Sequence, residues 1–159
     1  MGRIGILLAV ALPLAAADLV VKANVPSEPW AYHERSFIWL ALTLCLFGGV
    51  IAVTRVPSRL VAPAAGILAG GLLGNALSAA WNDMSVPNPI VVNVGEGVIA
   101  LNLADIWALS GIFLLVLALG YWLIVNRDRL PPPAEVRATR GRAFRRLLTE
   151  PPASSPDSH

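Results

Sequence analysis

Six polar residues stand at the edges of long apolar segments: Asp18, Lys22, Asn75, Ser78, Asn102 and Asp105. A carboxylate or ammonium at membrane depth is costly unless it is paired, neutralised or put to use. Each group also has a plain structural reading. Asp18 and Lys22 are spaced i,i+4, which suits an ion pair along one helix. Asn102 and Asp105 have capping-box spacing: the Asn accepts from the amide three residues on, and the Asp reaches back. Asp105 also suits the positive end of a helix dipole. Asn75 reads by itself as a hydrogen-bonding link between helices.

The elements that must position these groups are apolar helices. The chain has 159 residues, 56% hydrophobic and 14% charged, with a mean hydropathy of +0.66. A soluble domain carries about 25% charged residues, so this is the composition of an integral membrane protein. Four apolar segments, about 4–21, 37–53, 60–81 and 103–125, approach the roughly 17–25 residues of a spanning helix. The expected fold is an all-α membrane protein with four transmembrane helices over 1–126. Gly66, Gly70 and Gly74 recur every fourth residue and predict a smooth stripe for close packing.

Basic residues set the expected orientation. Arg3 precedes the first segment, and Arg55 and Arg59 lie between the second and third. Seven of the 12 basic residues follow residue 126, and 82–102 contains none. The positive-inside rule then places both termini in the cytoplasm and the 22–36 and 82–102 loops outside. Of the six polar residues, all map to the outer side. The start resembles a cleavable signal peptide, but an uncleaved first helix is expected, since 18–25 stays apolar.

The run "PNPIVVNVGEGVIALN" predicts a small extracytoplasmic β-hairpin, with strands 90–94 and 98–101 and "GEG" as the turn. Residues 127–159 read as a basic, Pro/Ser-rich cytoplasmic tail without stable structure, part of which suits anionic lipid. The tail has no aromatic interleaving, so no nucleic-acid partner is expected. Cys45 is single, His33 is placed alone in a loop and His159 in the tail. No metal site is expected, and no cofactor motif occurs.

Four stretches together resemble signal peptidase II, the membrane aspartic peptidase of bacterial prolipoproteins. "DLVVK" (18–22) is similar to that family's Asp-x-x-Thr-Lys. "GGLLGNALSA" (70–79) is similar to Gly-Gly-Ala-x-Gly-Asn-Leu-x-Asp-Arg. "VVNV" (91–94) and "LNLAD" (101–105) are similar to Val-Val-Asp-Phe and Phe-Asn-x-Ala-Asp. The resemblance covers about 4–125 and implies the bacterial inner membrane, with membrane lipid and a lipoprotein signal peptide as partners. It implies two aspartates flanking a water: one acts as base, the other polarises the scissile carbonyl, and the pair shares a proton.

Asp105 matches one aspartate. Asn93 stands where the other is expected, with Asn88 as a second register. An amide is no base, so the resemblance implies an impaired member. The alternative is an active peptidase pairing Asp105 with Glu96 or Asp83. Glu96, on the turn, also reads as a solvated residue. Asp18, Lys22, Gly74, Asn75 and Asn102 would line the substrate site. The family's Asp-Arg after Gly-Asn is replaced by Ser78-Ala79, and its motif near the second helix is missing from "HERSFIWLAL". A third reading makes these residues caps and packing glycines of a non-enzymatic accessory protein.

Overall fold

The computed structural model describes residues 2–130; the expected tail beyond Leu130 lies outside the described residues. The chain divides into two compact units, Met1–Trp122 and Leu123–His159. In the second unit, the last turn of a helix runs into a short 3₁₀ turn, Arg127–Arg129.

Four α-helices are present among the described residues: α1 (Arg3–Asn24), α2 (Phe37–Val53), α3 (Val61–Trp81) and α4 (Leu103–Asn126). α1, α3 and α4 are long and apolar enough to cross a membrane. α2, with 17 residues, is a shorter apolar helix and is not among these three. Ser36 caps it by accepting from the Trp39 amide at 3.1 Å.

α3 is the central helix. It is rich in Ala and Gly because three neighbours approach its backbone. The core joins Leu7 and Ala11 of α1, Val50 of α2, Ala65, Leu68 and Ala69 of α3, and Leu115 and Ala118 of α4. Leu7, Ala11, Ala15 and Asp18 are the buried residues of α1. Their spacing of four, four and three is one helical face, so Asp18 is carried into the interior by the same stripe that packs the core. The outer faces are apolar instead: Phe37, Ile38, Leu109 and Ile124 are exposed. Such an inverted distribution suits a lipid surround rather than water.

The glycine stripe expected along α3, Gly66, Gly70 and Gly74, faces α1, and Gly71 adds a second close approach, to α4. A Cβ on Gly66 or Gly70 would meet Leu7, Val10, Ala11 or Leu14 of α1. On Gly71 it would strike the Ala104 carbonyl and the Ala108 backbone of α4. On Gly74 it would meet both Asp18 and Ala104. The close approach is reciprocated by Gly111 of α4, whose Cβ would run into the Leu68 backbone.

Two small sheets lie in the connections. β3 (Ile90–Val94) and β4 (Gly97–Leu101) form the expected hairpin, paired from Ile90↔Leu101 to Val94↔Gly97. Gly97 belongs to the strand, so the turn is the two residues Gly95-Glu96. Gly95 has φ +59°, the residue preference of a type II′ turn. The second sheet was not expected: β1 (Tyr32–Glu34) pairs antiparallel with β2 (Ser85–Pro87). His33 is therefore on a strand, opposite Val86, rather than alone in a loop. The chain leaves α3 through Asp83 and Met84, both at positive φ. The Met84 amide then donates back to the Ala79 carbonyl at 2.8 Å.

Candidate functional site

α4 begins as a capping box. The Asp105 amide donates to Asn102 Oδ1 at 2.9 Å, and the Asn102 amide donates to Asp105 Oδ2 at 3.2 Å. The next free amide, that of Ala104, is satisfied from another helix: it donates to Asp18 Oδ1 at 2.8 Å. Asp18 thus caps α4 across α3, passing the point where Gly74 has no side chain. Any Cβ at Gly74 would lie 2.8 Å from Asp18 Oδ2.

The other Asp18 oxygen pairs with Lys22 Nζ at 2.7 Å, as the i,i+4 spacing predicts. Lys22 also donates to Asn75 Oδ1 at 2.8 Å, and Asn75 Nδ2 donates to Asp105 Oδ1 at 2.9 Å. Asn75 is the centre of the cluster. Its carbonyl faces the ammonium and its NH₂ faces the carboxylate, so each half of the amide dipole meets the charge it favours. Two carboxylates and one ammonium are held together. Asp18 and Asn102 are fully buried, and Asn75 is 7% exposed.

The cluster continues outward through a residue offered by sequence only as a second register. Asn102 Nδ2 donates to Asn88 Oδ1. Asn88 Nδ2 lies 2.9 Å from His33 Nδ1, and the Asn88 amide donates to the Ala31 carbonyl at 3.2 Å. These orientations follow from one another. A backbone N–H can only donate, so Asp105 fixes Oδ1 of Asn102 inward. Asn102 Nδ2 must then meet Asn88 Oδ1, and Asn88 Nδ2 must face His33. His33 Nδ1 accepts, which leaves the ring proton on Nε2.

Asn93 is elsewhere. It is exposed on β3, opposite Val98. Glu96 is exposed at the hairpin turn. β4 runs four residue steps from Leu101 to Gly97, so the turn stands roughly 13 Å from the mouth of α4 at about 3.3 Å per residue. Asp83 is exposed on the reversal after α3. Ser78 is buried, but its carbonyl and hydroxyl receive Asn82 Nδ2, at 2.9 and 3.4 Å, and it forms no bond with the cluster.

A cavity of about 460 Å³ lies against the Lys22 side of the cluster. Leu19, Lys22, Tyr32, Ser78, Trp81 and Pro87 contribute to its walls. It offers aromatic and apolar surface beside an ammonium. Among the described residues no group of His, Cys, Asp or Glu is arranged to hold a metal ion.

Sequence reasoning offered Asn88 only as a second register and read His33 as alone in a loop; the structure joins both to Asn102 through side-chain contacts. No protein-family model, curated protein or solved structure matches the chain.

Proposed function

We propose that this chain is a divergent signal peptidase II-like protein of the bacterial inner membrane. It holds the signal helix of a lipoprotein against the Asp105 cluster and is impaired in hydrolysis. The observation that carries this reading is the convergence of Asp18, Lys22, Asn75, Asn102 and Asp105, from three helices, into one hydrogen-bonded network. These are the residues on which the resemblance rests. Caps and packing glycines on unrelated faces would have been scattered.

Asn88 is the better match to the absent second aspartate, because it is the loop residue in contact with Asn102. Asp105 retains a carboxylate able to accept a proton from water. Asn88 cannot share that proton, and its NH₂ is turned to His33. The half of the dyad that would polarise a scissile carbonyl is therefore missing. The cavity beside Lys22 supplies apolar surface for a peptide or its lipid.

The test uses the purified full chain and a diacylglyceryl-modified prolipoprotein. The expected result is retention of the substrate without cleavage, and cleavage on Asn88→Asp. Wild-type turnover that Asp105→Asn abolishes would overturn the impaired reading in favour of an active enzyme. Absence of both binding and cleavage would favour a non-enzymatic accessory role.

A further inference from the structure

The end of the first unit remote from this cluster gathers Arg3, Arg55 and Arg59. Arg3 Nη1 donates to the Arg55 carbonyl at 2.8 Å, tying the start of α1 to the α2–α3 connection. Beside this bond is a cavity of about 320 Å³, lined by Arg3, Ile6, Pro57, Ser58, Arg59 and Ala62. Two guanidinium groups and a hydroxyl thus share a cavity with three apolar residues. Among the described residues the ion pairs are Lys22–Asp18 and Arg127–Asp128, and neither involves these arginines. α1 and α3 also begin here, with no acidic residue in the first turn and no side-chain cap. Their free amides add to the positive field.

We propose that this cavity binds the phosphate of an anionic phospholipid. The inference rests on α1 and α3 crossing a membrane and is independent of any peptidase activity. Guanidinium forks match phosphate oxygens in geometry as well as charge. The bond to Arg55 occupies one Arg3 donor and holds the group in place. A lipid is favoured over free phosphate because Ile4 and Leu60, at the same end, are exposed apolar residues. The arginines therefore stand where an apolar helix surface gives way to charge, which is the depth of a headgroup.

The full chain in neutral detergent, titrated with short-chain phosphatidylglycerol and followed by native mass spectrometry, is expected to retain one lipid. Arg3→Gln/Arg59→Gln is expected to weaken retention at least tenfold. Arg3→Lys/Arg59→Lys keeps the charge and the topology signal, and is expected to weaken it several-fold. Arg35→Gln, which removes a charge from the other end, is expected to change nothing. Retention by the lysine pair equal to that of the wild type would reduce the effect to general charge attraction and overturn the site. An equal loss in Arg35→Gln would overturn it too. Displacement of the lipid by millimolar inorganic phosphate would overturn the lipid assignment. Should the glutamine pair fail to fold, the lysine pair still decides.

Discussion

Asn75 Nδ2 donates to Asp105 Oδ1 at 2.9 Å while the same side chain accepts from Lys22. One amide on α3 therefore links a cation on α1 to an anion on α4. Hydrogen bonds to charged groups contribute about 1.5–3 kcal/mol, against roughly 0.6 for an average interhelical bond in a membrane. Asn75→Ala is expected to destabilise the protein by about 2 kcal/mol, read as a drop in thermal midpoint in detergent. A loss no larger than that of an exposed Leu→Ala on α4 would show that the bridge adds nothing.

Lys22 is the counter-ion of a fully buried Asp18. Removing one partner of a buried ion pair costs about 3–5 kcal/mol, because a charge is left uncompensated. Lys22→Met is expected to fall in that range. Asp18→Asn/Lys22→Met is expected to be less damaging than Lys22→Met, since Asn Oδ1 can still accept from the Ala104 amide. Simple additivity in this double-mutant cycle would contradict the pairing.

Glycine contacts divide into two groups. A Cβ at Gly74 or Gly111 has no room, whereas at Gly48 or Gly120 nothing lies within 4 Å. Gly74→Ala and Gly111→Ala are expected to cost about 1–3 kcal/mol through forced separation of helices. Gly48→Ala and Gly120→Ala are expected to be neutral or mildly stabilising, as alanine favours a helix by up to about 1 kcal/mol. Equal effects at all four positions would refute the assigned packing faces.

The amide chain from Asp105 to His33 makes a statement about one proton. Histidine-selective ¹⁵N NMR is expected to show His33 with Nδ1 unprotonated and Nε2 protonated, assigned by its loss in His33→Gln. Asn102→Ala removes both the cap and the link to Asn88, and is expected to cost about 1–2 kcal/mol. A His33 spectrum unaffected by Asn102→Ala, or the opposite tautomer, would show that the amides are not coupled as described.

Much of this architecture was readable from residue order, because helices and turns depend on local pattern. The apolar segments place all four helices to within a few residues. The capping box at Asn102 and Asp105, the Asp18–Lys22 pair and a turn within "GEG" involve partners at most four residues apart. Their geometry follows from the pitch of a helix or the twist of a hairpin.

What only the tertiary structure decided involves partners far apart in sequence. Asp18 reaches the Ala104 amide across 86 residues, and no spacing rule links them. The bond depends on Gly74 leaving room, and the glycine's other neighbours depend on how α1 and α4 pack on α3. The β1–β2 sheet also lay beyond local reading. Its strands are three residues each, shorter than any period-two pattern can reveal, and the reversal at Asp83 and Met84 carries no glycine to announce it. That sheet brings His33 and Asn88 together and makes Asn88, rather than Asn93, the neighbour of Asn102. Sequence named Asp18, Lys22, Asn75, Asn102 and Asp105 from their cost in an apolar setting; packing chose which of them touch, left Ser78 out and added Asn88 and His33, because a buried polar group must find its partner wherever the fold supplies one.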